Sequence, residues 1–99
     1  IIIITPGRID GDRWSDYLKT HYKVDSKDHQ DELVKPYAEV SRRVANEKNV
    51  ECIDLNKIMQ NMTDFKEYFI DGLHFNNKGN QLLFENLWPI VEENIAKYL

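Results

Sequence analysis

The chain opens on a run of β-branched residues without alternation, Ile1 to Ile4, closed by Thr5-Pro6-Gly7. Such a run predicts a strand buried on both faces, as in a parallel sheet, that ends in a turn. A second apolar stretch, "NVECIDL", predicts another strand over roughly Val50 to Asp54. Between them, Arg8 to about Asp25 is polar, dotted with aromatics and aperiodic. It reads as a long surface loop holding a short helix near Trp14 to Leu18. From Ser26 a helix is expected, with Ser26 as N-cap and Asp28 in the first turn, where a carboxylate suits the helix dipole. Leu33, Tyr37, Val40, Val44 and Ala45 fall on one face at helical spacing. Pro36 removes a backbone donor and predicts a kink or a fresh start there, and "NEKN" ends the helix.

Beyond the second strand, Asn56 to Gln60 reads as a short helix, and Thr63 or Asp64 suits the cap of another through "FKEYF". Asn77 to Tyr98 carries Leu82, Leu83, Leu87, Val91, Ile95 and Tyr98 as an amphipathic stripe, which Pro89 should kink or divide. Phe84 and Trp88, at helical spacing, read as core. A helix joining two strands implies a parallel pair with a crossover. The fold class is therefore α/β. Two parallel strands do not make a stable sheet, so the expectation is part of a larger one covered by helices on both faces. The abrupt "IIII" start strengthens this, because an exposed β-prone segment is a poor terminus. It reads as a strand from the middle of a longer protein, with any targeting signal upstream.

Composition adds limits. Hydrophobic residues make up 41% and charged residues 30% of the 99, with a net charge of −4 and both signs interspersed, the balance of a globular protein. No Lys/Arg stripe marks a nucleic-acid footprint, and no apolar run approaches the ~20 residues that span a bilayer. Cys52 is the sole cysteine, which excludes an internal disulfide and a multi-cysteine metal site. This fits a reducing compartment such as the cytoplasm. Inside a strand, Cys52 reads as a small, inert hydrophobe.

The candidate chemistry lies in "DGLHFNNKGN", Asp71 to Asn80. Two intervening residues let Asp71 curl back towards the ring of His74, and Gly72 can take positive φ at the turn. A carboxylate on Nδ1–H would fix the imidazole tautomer, leaving Nε2 free to take a proton from a nucleophile. Asn76 can cap the helix that follows. The spacing alone is weak evidence, because Asp, Gly and Asn are ordinary helix-entry residues. In context, "FIDGLHFNNKGNQLLFENLWPIVEENI" resembles the last motif block of the GDSL/SGNH hydrolases: Asp-x-x-His with a glycine five positions on, here Asp71, His74 and Gly79. Within that family the likeness is to the isoamyl acetate-hydrolysing esterase branch. "IIIITPG", "YAEVSRRVANEKNVECIDL" and "MTDFKEYFIDGLH" resemble its preceding segments, while Arg8 to Asp31 does not align.

The resemblance implies a three-layer αβα, flavodoxin-like fold, of which these residues are the C-terminal part of one domain. It also implies a serine esterase acting on small aliphatic esters, without cofactor or metal, in which Asp71 and His74 are the catalytic pair. In that family a Gly-Asp-Ser motif brings the nucleophile, and a glycine and an asparagine complete the oxyanion hole. Here Gly11-Asp12 is followed by Arg13, and no Gly-x-Asn-Asp occurs. Ser15, Ser26 and Ser41, the only serines, read as structural. The serine and the oxyanion donors are thus expected from a missing N-terminal half or a partner chain, and the 99 residues alone should be inactive.

His21 and His29 could be grouped with Asp71 and His74 as a metal site, but the spacing fits no zinc pattern and surface histidines are the plainer reading. Trp14, Tyr17 and Tyr22 read first as packing and second as walls of an acyl or alcohol pocket. Thr5-Pro6 reads as strand termination. The alternative is a non-catalytic interaction module or truncated pseudoenzyme, whose exposed Ile1–Ile4 edge would pair with another chain.

Overall fold

A computed structural model describes residues 1–98. The elements run β1 (Ile2–Ile4), α1 (Gly11–Tyr22), α2 (Asp31–Glu47), β2 (Glu51–Ile53), α3 (Leu55–Gln60), a 3₁₀ turn (Phe65–Tyr68) and α4 (Asn77–Tyr98). β1 and β2 pair in parallel, with Ile2, Ile3 and Ile4 opposite Glu51, Cys52 and Ile53. α2 is the crossover between them and packs against both strands. The α/β class and the parallel pair thus stand as expected, in a sheet of two strands among the described residues.

The carboxyl ends of the strands are tied by a small polar knot. Thr5, 1% exposed, donates its hydroxyl to Asp54 at 3.3 Å and accepts from the Asn56 N–H at 3.0 Å. Asp54 also caps α3, accepting from Lys57 N–H at 3.1 Å, and pairs with Arg42 of α2 at 3.0 Å. One carboxylate therefore joins β1, α2 and α3 at the edge where α/β proteins place their sites. Beneath that edge sits the apolar core: Leu55, Met59, Phe65, Tyr68 and Phe69, with Met62, Phe75 and Leu82 against it.

Four expectations need correction. Arg8 to Asp25 is no long loop: α1 spans 12 residues rather than Trp14 to Leu18 alone. Asp10 accepts from Arg13 N–H at its start, Asp12 favours the dipole, and Lys23 in the left-handed region closes it on the Leu18 carbonyl. α2 begins at Asp31 rather than at Ser26, whose hydroxyl instead accepts from Asp28 N–H in a local turn. The helix assignment runs through Pro36, and Pro89 does not divide α4. Each proline frees a carbonyl one turn back, on Glu32 and Glu85. Both glutamates are exposed, so water can satisfy what the ring removes.

The fourth correction concerns burial. Ile1 and Ile4 are exposed, so β1 is not covered on both faces. The apolar stripe of α2 also faces outwards, with Leu33, Tyr37, Val40 and Val44 all exposed and only Ala38 and Ala45 buried. Phe84 and Trp88 are exposed rather than core, and stack on each other with ring centroids 6.0 Å apart. The radius of gyration, 15.5 Å, exceeds the ~13 Å of a filled domain of about 100 residues. The apolar positions recur at helical spacing as expected, and these residues stand exposed among the described residues.

Gly72 has φ +99°, and a Cβ there would lie 2.6 Å from the Asp10 carbonyl oxygen and 2.8 Å from Trp14 N. Gly72→Ala therefore combines a backbone strain with a clash against α1, and should cost about 2 kcal/mol or more. Urea unfolding followed by circular dichroism checks this; a loss below 0.5 kcal/mol, on the order of an ordinary surface change, would refute the packing of this turn on α1.

Candidate functional site

Asp71 and His74 sit on the loop between the 3₁₀ turn and α4. The backbone there curls so tightly that one carboxylate serves three donors. Oδ1 accepts from the N–H groups of Leu73 at 2.9 Å and His74 at 2.8 Å, and Oδ2 accepts from Nδ1 of the His74 ring at 2.8 Å. An ionised carboxylate can only accept, so Nδ1 carries the hydrogen and Nε2 is the basic nitrogen of the neutral ring. The two side chains differ in exposure, 9% for Asp71 and 65% for His74. The carboxylate is locked away while the ring is presented.

Burial by itself pushes the Asp71 carboxyl up, but the bonds from His74 N–H, Leu73 N–H and the imidazole outweigh it and hold the group below its ordinary value of 3.8. The loop is pinned at both ends. Ile70 N–H donates to the His74 carbonyl at 2.8 Å, and Phe69 and Phe75 form an antiparallel bridge. Asn76 caps α4 by accepting from Gly79 N–H at 3.0 Å, and its amide donates to the Glu67 carbonyl at 2.8 Å.

The structure also brings to this loop the helix α1, longer than the short helix expected near Trp14 to Leu18. Asp10 N–H donates to the Gly72 carbonyl at 2.9 Å. The Arg13 guanidinium donates to the carbonyls of Ile70, Phe69 and Lys66, at 2.7, 3.3 and 3.4 Å. Trp14 then meets the His74 ring edge-on, with centroids 5.6 Å apart and planes at 71°. The signal was available: Trp14, Tyr17 and His21 recur at helical spacing, and Asp10 and Asp12 mark a helix start.

The other candidates lie apart. His29 packs edge-on to Trp14 and His21 stacks on Tyr17, so neither joins Asp71 and His74. Among the described residues no three His, Cys, Asp or Glu side chains converge as metal ligands. Ser15 and Ser41 donate to the carbonyls of Ser26 and Tyr37. Arg13, which follows Gly11-Asp12, is committed to carbonyls. Among the described residues, Asp71 is the hydrogen-bond partner of the His74 ring.

A cleft of about 470 Å³ opens beside the ring, lined by Pro6, Ile9, Val34, Leu73, His74 and Phe75 among others, a size ordinary for small-molecule sites. A larger one, about 640 Å³, lies between α2 and α3 against Lys35, Glu39, Arg42 and Lys57. It is charged and does not include His74, so the smaller cleft is the candidate substrate site.

Asp71→Ala should destabilise the fold by about 1–3 kcal/mol at pH 7, because two loop N–H groups lose their acceptor. The folded pKa is depressed, so this contribution is present above the unfolded value of 3.8 and fades as the pH falls through the lower folded value. The difference between wild type and Asp71→Ala should therefore shrink below pH 3.8. Urea titrations across pH 2 to 7 check this, and a gap that widens in acid would refute the assigned bonds.

Comparison with known proteins agrees with the geometry. The GDSL-like lipase/acylhydrolase family model matches residues 1–87. A human isoamyl acetate-hydrolyzing esterase 1 homolog is 39% identical over 64 residues, covering 65% of this chain and 26% of its own length. The bovine protein of that name is 32% identical over 97% of the chain and 38% of its own length. The isoamyl acetate-hydrolyzing esterase of Saccharomyces cerevisiae is 28% identical over 98% and 41%. The crystal structure of a lipase/acylhydrolase from Enterococcus faecalis superimposes with a TM-score of 0.74 at 26% identity, over 94% of this chain and 42% of that one. The chain thus spans about a quarter to two-fifths of the relatives it matches, and its two parallel strands and helices are part of an α/β SGNH-type fold. With the family model matched over most of its length, the chain belongs to the GDSL-like lipase/acylhydrolases.

Proposed function

We propose that this chain supplies the acid–base half of a serine esterase acting on small aliphatic esters. Its base is His74, its orienting carboxylate is Asp71, and its nucleophile comes from polypeptide outside these 99 residues. The observation that carries the reading is the 2.8 Å bond from a buried carboxylate to Nδ1 of an exposed imidazole. That bond sets the tautomer, anchors the ring at Nδ1 and stabilises the imidazolium that forms.

The chemistry follows from those two groups. Nε2 takes the hydroxyl proton of the serine as its oxygen bonds to the ester carbonyl. The resulting imidazolium returns that proton to the alkoxy oxygen as the C–O bond breaks and the alcohol departs. Water, deprotonated by the same nitrogen, then bonds to the acyl carbon; the carbon–oxygen bond to serine breaks, the imidazolium returns the proton to the serine oxygen, and the acid departs. The small apolar cleft beside His74 suits a short acyl or alcohol group. The names of the relatives, isoamyl acetate-hydrolyzing esterases, favour the same substrate class.

The serine-bearing polypeptide has a natural seat. Among the described residues β1 and β2 pair only with each other, and the exposed residues of α2 and α4 include Leu33, Val40, Phe84 and Trp88. We read these surfaces as the face on which the remainder of the sheet docks, within the same chain or from a partner. A module without chemistry would use the same surfaces, so activity must separate the two readings.

The 99-residue chain alone should give no turnover of p-nitrophenyl acetate above buffer, lacking both nucleophile and oxyanion donors. The protein complete with its Gly-Asp-Ser segment should turn over the ester and label with a fluorophosphonate on that serine. His74→Ala should lower kcat about 10²–10⁴-fold. Turnover by the isolated chain that vanishes in His74→Ala would overturn the division of labour. A complete protein that neither hydrolyses esters nor labels would favour the interaction module.

A further inference from the structure

We infer that Trp14 is a positioning residue for His74, acting through an edge-to-face contact that fixes the plane of the imidazole. The inference rests on the proposed catalytic role of His74 and goes beyond it, to a residue of the helix that the motif blocks do not include. The bond from Asp71 fixes one atom of the ring, Nδ1. With 65% of the side chain exposed, that bond alone leaves the ring free to pivot, and Nε2 would swing with it. Trp14 limits the pivot: its indole meets the ring at 71° with centroids 5.6 Å apart, the geometry in which an aromatic edge meets a face favourably.

A positioning residue must itself be held. Trp14 is braced from behind by Tyr17, stacked at 5.6 Å and 15°, which in turn stacks on His21 at 4.2 Å. His29 closes a further side, edge-on at 6.0 Å. Its backbone is seated on the loop it serves: Trp14 N–H donates to the Asp10 carbonyl at 3.0 Å, and Asp10 N–H donates to the Gly72 carbonyl. The first turn of α1 and the Asp71–His74 loop are therefore tied together by a backbone hydrogen bond. The Tyr17 phenol, pushed up first by Tyr22, then by desolvation, and last by the Asp71 carboxylate, lies in the field of the same loop.

The indole N–H adds an independent observation. Trp14 Nε1 is buried and has no hydrogen-bond partner among the described residues, a state that is rare for a buried donor.

The test uses the complete enzyme, with Trp14→Leu, Trp14→Phe and the control His74→Ala. Trp14→Leu keeps much of the bulk but no ring and should lower kcat 5- to 30-fold with KM within twofold, since a small misplacement of a reacting group is costly in rate. Trp14→Phe restores a ring edge and should recover to within threefold of wild type. A rise in KM with kcat unchanged would make Trp14 a pocket wall and overturn the inference, as would two variants indistinguishable from wild type. Should Trp14→Leu not fold, Trp14→Phe stands with the His74 ring-proton resonances, which the indole ring current should displace in the wild type and release in part in the variant. Unmoved resonances would refute the contact. Full activity in His74→Ala is a different failure, that of the catalytic reading itself.

Discussion

The loop depends on a single buried carboxylate. Asp71 is surrounded by donors drawn from within three residues of itself: two backbone N–H groups and one ring nitrogen. Removing a charge from water is costly unless each lone pair finds a partner, and here the partners come from the same turn. The turn must therefore keep one shape. Gly72 supplies the positive φ, and the ring of His74 is left facing outwards because the carboxylate has claimed its other nitrogen. Which ring nitrogen faces outwards is thus a by-product of burying the acid.

That locality contrasts with the sheet. β1 and β2 are held together at their carboxyl ends by the Thr5–Asp54–Arg42 knot and by the crossover of α2. Ile1, Ile4, the apolar stripe of α2 and the Phe84 and Trp88 rings of α4 remain exposed. Burying apolar area is worth about 25 cal/mol per Å², and the residues left outside include Leu33, Val40, Phe84 and Trp88, the kind that usually supply it. The core that does form lies under the Asp71 loop instead, around Met59 and Phe69. The site is thus backed by the best-packed region of the chain, while the sheet behind it is the least complete.

The same division explains what could be read from the sequence. The β-branched run, "ECI" and the long C-terminal stripe place β1, β2 and α4 within one or two residues, because each signal is local. Asp71 and His74 are legible for the same reason: the spacing that makes the bond is contained in four residues. The start of α2 was not legible, since Ser26 is a good cap whose hydroxyl serves a turn instead. The exposure of Phe84 and Trp88 was not legible either, as amphipathic spacing says which residues share a face but not whether anything covers it. The extent of α1 is the more instructive miss, since a short helix near Trp14 to Leu18 was legible and the full Gly11–Tyr22 was not. Its aromatics are spaced as a helix face, but that face is made of Trp, Tyr and His, which a search for aliphatic periodicity passes over.

On the proposed reading, the face of α1 also bears on how an acid–base pair can be carried on one piece of polypeptide and its nucleophile on another. Proton transfer needs Nε2 within hydrogen-bond reach of the hydroxyl, so the tolerance at the junction is a few tenths of an ångström. A ring tethered only at Nδ1 would leave that tolerance to the incoming segment. A ring held at Nδ1 by Asp71 and on its flank by Trp14 arrives already oriented. The docking of strands and apolar helix faces then needs only to bring a hydroxyl to a fixed point. Sheet docking meets that requirement, because strand register is quantised by side-chain alternation and a slip of one residue would turn every apolar group to the wrong side.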